Sequence, residues 1–126
     1  MTLNTATAIN AYRQNTVQTA SKTRVVVMLT DRARSDTAQA VKAIERRDPA
    51  DAHLLLRHAQ DIISELAHAL DVEQMPGGHE LADLYEYIEH LLTEANLTKT
   101  VTPAQQALTL IGELADIFHQ AEEASR

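Results

Sequence analysis

The sequence contains no cysteine, so it carries neither a disulfide framework nor thiolate chemistry. That is compatible with a reducing cytoplasm. Tryptophan is absent, aromatics make up 3% of the residues, and glycine and proline number three each. A sheet of several strands needs more turn chemistry than this, whereas helices do not. Positive charge is also scarce: 11 Lys and Arg face 18 Asp and Glu, for a net charge of −7. Nucleic-acid binding needs clustered cations, and docking on anionic lipid needs them too. The composition argues against both, and the acidity points to solubility or to a neutral or basic partner face. The longest strongly apolar run is Val25–Leu29, too short to span a bilayer. The opening residues, MTLNTATAINAY, lack the charged start and apolar core of a signal peptide.

The 126 residues suit a single domain. Their clearest element is Leu81–Leu97. Leu81, Leu84, Tyr85, Ile88, Leu91, Leu92 and Ala95 recur at steps of three and four, which places them on one side of a helix. Asp83, Glu86, Glu89, Thr93 and Glu94 take the other side. A stripe this wide needs more than one neighbouring helix to cover it.

The remaining segments supply those neighbours. Residues 1–20 are polar, with Leu3, Ile9, Tyr12 and Val17 spread thinly, and read as an arm with at most a short cap helix. A first long helix is expected from Ser21 to about Arg46 on the pattern Val25, Met28, Leu29, Ala33, Ala40, Val41, Ile44, with a weak polar middle. Asp48-Pro49 predicts a cap followed by proline at the first helical position. The second helix then runs to about Asp71, with Leu55, Ala59, Ile62, Ile63, Leu66 and Leu70 inward. Gln74–Gly78 is the strongest break. After a linker at Thr98–Val101, Thr102-Pro103-Ala104-Gln105 reads as a capping box. It opens a fourth helix with Ala107, Leu108, Ile111, Leu114, Ala115 and Phe118 on one face. Four amphipathic helices joined by short loops predict an all-α, antiparallel up-down four-helix bundle over residues 21–126, with the arm at 1–20.

The same periodicity decides where catalytic and metal-binding motifs would point. Glu65 and His68 have the E-x-x-H spacing of di-iron bundles, and Asp116 and His119 make a looser copy. Both pairs fall off the inward faces, whereas such ligands must point inward. A histidine phosphotransfer domain needs one exposed reactive histidine; His58 and His90 qualify by position, but neither is followed by the Lys and Gly that receive a phosphoryl group. Phosphate loops, nucleophile elbows and H-E-x-x-H are missing. The expectation is therefore no catalysis, no metal and no cofactor. Tyr85 belongs to the core stripe. Tyr87 lies at its edge, where a tyrosine either covers the bundle or helps to shape an external groove.

Several short motifs occur in a familiar order: Ile9-Asn10-Ala11-Tyr12, Val17-Gln18-Thr19-Ala20-Ser21, Met28-Leu29-x-Asp31-x-Ala33, Ala59-Gln60-Asp61-Ile62-Ile63, Gly77-Gly78, Leu84-Tyr85-Glu86-Tyr87 and Ala95-Asn96-Leu97. With them the chain resembles the flagellar secretion chaperone FliS family over nearly its whole length. It departs from the family pattern at Lys22, Thr30, Arg32 and Arg34, and in a shorter segment before Leu84.

The resemblance implies a cytoplasmic, non-catalytic bundle that binds the C-terminal segment of flagellin, blocks its premature polymerisation and assists delivery to the flagellar type III export apparatus. Further flagellar export or regulatory proteins are possible partners, and the state is monomer or homodimer. The motif positions assign partner binding to Ile9, Tyr12, Tyr85, Tyr87, Ile88, Leu92 and Asn96. Ile9 and Tyr12 anchor an arm that covers the empty groove. The alternative reading is a helical adaptor or scaffold of another secretion or regulatory complex.

Overall fold

The computed structural model describes the backbone of residues 5–124 and the side chains of residues 22–124. Four helices follow one another: α1 (Thr5–Glu45), α2 (Pro49–Ala69), α3 (Gly78–Thr98) and α4 (Val101–Ala124). Each packs along its neighbour in sequence, and α1 closes the ring against α4. Side-chain bridges give the register. Arg24 meets Glu122, Asp31 meets His119 and Arg34 meets Asp116, so numbers rise along α1 as they fall along α4. Likewise His53 meets Asn96 and Gln60 meets Thr93 across α2 and α3. These neighbours run antiparallel, as expected of an up-down bundle.

The boundaries have local causes. Asp48 caps α2, its Oδ1 accepting from the Asp51 N–H at 3.1 Å, and Pro49 takes the first position. Before α3, Gly77 adopts φ 76°, which glycine enters without steric cost. Gly78 faces a different constraint. A Cβ there would stand 2.9 Å from Val72 Cα and collide with the Val72 carbonyl oxygen. The connection to α4 shrinks to Lys99 and Thr100, and α4 starts at Val101 with Pro103 still in its first turn.

All seven apolar residues of the α3 stripe are buried. Around them stand Leu56, Ile63 and Leu66 of α2 and Ile111, Leu114 and Phe118 of α4. α1 differs from expectation in two ways. Its helix begins at Thr5 instead of Ser21, because neither glycine nor proline interrupts the backbone before Pro49. Its buried face is also rotated. Val25 and Met28 are about half exposed, while Thr23, Val27, Thr30, Asp36 and Thr37 are buried with Ala33 and Ala40. Large side chains on the other helices fill the interior, so α1 meets them with small ones. The threonine hydroxyls at 30 and 37 donate to the Val26 and Ala33 carbonyls of the preceding turn, so burying them leaves no donor unpaired.

Candidate partner-binding site

Of the residues assigned to partner binding, Tyr85, Ile88 and Leu92 lie in the core. No partner can touch them while the bundle is closed; they fix the position of α3 and so the surface it presents. Ile9 and Tyr12 have side chains outside the described residues. Asn96 is half-buried at the end of α3, where its Oδ1 stands 3.1 Å from His53 Nδ1 and accepts from Lys99 Nζ at 2.8 Å. It ties α3 to the first turns of α2. Tyr87 alone of the described set offers a large open area, with 50% exposure.

Helix phase decides where Tyr87 points. Thr93 and Asn96 face α2 through Gln60 and His53. Tyr87 lies on the opposite flank of the stripe, sharing its side with Leu84, Leu91 and Glu94. That flank is toward α4, the other helix packed on α3. α3 carries Glu80, Asp83, Glu86, Glu89 and Glu94 and no Lys or Arg. Among the described residues none of these five is held in an ion pair. Tyr87 is thus an aromatic surface set among uncompensated carboxylates.

The sequence reading missed a second feature. A shallow depression of about 670 Å³, open to solvent, lies along the α1–α4 seam, lined by Asp31, Arg34, Ser35, Ala38, Leu108, Thr109, Gly112, Glu113 and Asp116. The small residues Ser35, Ala38, Thr109 and Gly112 lie in it among the larger Asp31, Arg34, Leu108, Glu113 and Asp116. A Cβ on Gly112 would lie 3.4 Å from the Arg34 guanidinium, which rests over that position and reaches Asp116 at 3.6 Å. At its edge, His119 Nε2 stands 2.9 Å from Asp31 Oδ1. The one signal available in the sequence was the spacing of Ser35 and Ala38 against Thr109 and Gly112, which hydropathy alone reads as a weak polar stretch.

A family model described as flagellar protein FliS matches residues 5–125. The chain belongs to the FliS family. No curated protein matches it. FliS membership supports a role as a flagellar export chaperone, so the chemistry to explain is recognition of a protein client. Asp36, whose side chain is 4% exposed, receives Arg32 Nε at 3.2 Å from its own helix and His58 Nδ1 from α2. His58 Nδ1 is therefore committed to a structural clasp. Glu65, His68, Asp116 and His119 are exposed, and the described residues hold no group of three or more His, Asp or Glu placed to bind a metal ion. No described helix is long and apolar enough to cross a membrane.

Proposed function

We propose that this chain is the cytoplasmic export chaperone of flagellin, binding the C-terminal segment of the client, preventing its premature polymerisation and assisting its delivery to the type III export apparatus. The observation that carries the reading is the match to the FliS family over residues 5–125, nearly the entire chain. The physics supports it. An amphipathic segment with an uncovered apolar face self-associates, and a bundle that accepts that face in a surface groove keeps it apart. The interior here is filled by the chain's own side chains, so recognition belongs to the outside. Tyr87 supplies an anchor there with a hydroxyl at its tip. Asn96 sets the end of the helix that carries it, and Tyr85, Ile88 and Leu92 support that helix from within. Ile9 and Tyr12 complete the site as anchors of the N-terminal segment, which gives way to the client.

The test is calorimetric titration of the full chain with a peptide covering the C-terminal segment of flagellin from the same cell, with circular dichroism alongside. Saturable one-to-one binding, negative heat-capacity change and gained helicity are expected for a client that folds on the bundle. Absence of binding at micromolar concentrations overturns the flagellin assignment and moves the adaptor reading to the front.

A further inference from the structure

We propose that the outer faces of α1 and α3 are complementary docking surfaces for a second copy of this chain, α1 of one copy lying antiparallel on α3 of the next. This goes beyond the chaperone reading and concerns the chain without its client. Three observations carry it. First, each helix has an exposed stripe at steps of three and four. On α1 it is Val25, Met28, Arg32, Ser35, Gln39 and Lys42; on α3 it is Glu80, Asp83, Tyr87, His90, Glu94 and Leu97. Of the five large apolar side chains exposed among the described residues, four lie in these stripes: Val25, Met28, Tyr87 and Leu97. Each stripe is about 26 Å long at 1.5 Å rise per residue, so neither overhangs the other.

Second, the stripes carry opposite charge. The α1 stripe has Arg32 and Lys42 and no carboxylate, whereas the α3 stripe has Glu80, Asp83 and Glu94 and neither Lys nor Arg. Arg32 gives its Nε to Asp36 and is 65% exposed, so its other N–H groups face solvent. Third, one direction of pairing suits every position. Set antiparallel, Met28 meets Leu97, Arg32 meets Glu94, Ser35 meets His90, Gln39 meets Tyr87 and Lys42 meets Asp83. Apolar then lies on apolar and cation on carboxylate, with polar side chains between. Set parallel, Glu80 and Asp83 fall on Val25 and Met28, which desolvates two carboxylates without a partner.

Within one bundle α1 and α3 do not touch among the described residues, so the two stripes look away from opposite corners. A single neighbour cannot use both. The contact is therefore head-to-tail and adds copies stepwise instead of closing at a dimer. One helix lying on one helix is small beside the roughly 1,200 Å² of a stable complex, so association is weak and needs concentrated protein. Tyr87 lies in the seam, and a copy seated there excludes a client anchored on the same ring.

The experiment is sedimentation velocity of the full chain, without peptide, from about 10 μM to about 1 mM, the range of a weak contact. The weight-average sedimentation coefficient should climb with concentration past the value of a dimer. Lys42→Glu and Asp83→Lys should each lower the association constant about threefold or more. An equimolar mixture of the two should restore it, because the reversed charges then face one another. Asp83→Lys brings the net charge of −7 nearer to zero, so its loss of association reports the local pair and not general repulsion. Leu97→Ser should weaken association about tenfold. All three side chains are exposed, so helical circular dichroism and the melting temperature are expected to hold.

A chain that stays monomeric at about 1 mM overturns the proposal. So does association that either charge reversal leaves unchanged, and so does a mixture that fails to recover what the single variants lose. If Asp83→Lys impairs binding of the flagellin peptide and leaves self-association intact, the α3 stripe belongs to the client and the proposal falls while the chaperone reading stands.

Discussion

Two glycines show how differently one residue type can act. At Gly78 a methyl group would run into the backbone of Val72, which has nowhere to go. Gly78→Ala should cost about 2 kcal/mol or more by chemical denaturation, with the loop before α3 loosened. At Gly112 the atoms nearest the same methyl belong to the flexible end of Arg34, at 3.4–3.5 Å. Gly112→Ala should be neutral or stabilising by up to about 1 kcal/mol, because alanine is the better helix former. Asp36 makes a third case. Its buried carboxylate depends on Arg32 and His58, whose own side chains are about half exposed or more. Removing either partner by alanine should cost about 1 kcal/mol, since the other remains. Removing both should cost more than the sum, because the carboxylate is then buried alone. A double-mutant cycle read by urea unfolding measures that excess.

The helices do not contribute alike. α2, α3 and α4 bury branched and aromatic side chains, and Phe118→Ala should destabilise by about 3–5 kcal/mol. α1 buries mainly threonine and alanine, with Val27 and Val41 among them, and its attachment to α4 is reinforced by the bridges at Arg24, Asp31 and Arg34. The Thr30 hydroxyl bonds only to carbonyls of its own helix, so it contributes nothing between helices. Thr30→Val should change thermal stability by no more than about 1 kcal/mol and preserve the fold. The same holds the key to α1's phase. An apolar residue such as Val25 or Met28 is turned out because threonine can be buried without leaving its hydroxyl unpaired.

Across the molecule, charge governs encounter more than it governs fold. The net charge of −7 and the unpaired carboxylates of α3 attract a cationic segment from a distance set by ionic strength. On the proposed flagellin-binding reading, raising salt from about 0.05 M to 0.5 M should slow association with the flagellin peptide by roughly tenfold, while dissociation changes little. Tyr87→Ala should do the converse: melting is unchanged, because the ring is half exposed, and the peptide dissociates faster. Stopped-flow fluorescence separates the two effects.

Most of the architecture was written into the chain in a form that can be read locally. The inward stripes of α3 and α4, most of that of α2 (where Leu56 is buried and Leu55 and Leu70 are only partly so), the cap at Asp48 with Pro49, and the break at Gly77 and Gly78 follow from short-range spacing and turn chemistry, because each depends only on neighbours within a turn or two. The outward direction of Glu65, His68, Asp116 and His119 follows from the same periods. The ordered motifs likewise named the family from the residues alone.

What required the tertiary structure was everything set by another helix. Hydropathy assigned Val25 and Met28 to the core and gave Thr23, Thr30, Asp36 and Thr37 no place there, since it prices a threonine without knowing that its hydroxyl is satisfied. Tyr87 and Ile88 are adjacent in sequence, yet one is half exposed and the other fully buried, and only the position of α4 says which flank stays open to a partner. The depression along the α1–α4 seam joins residues about 70 to 80 positions apart, such as Ala38 and Gly112. Period and propensity determine what each helix hides; the volume left between helices is a property of the pairs, and it is decided only when large side chains on some faces meet small ones on others.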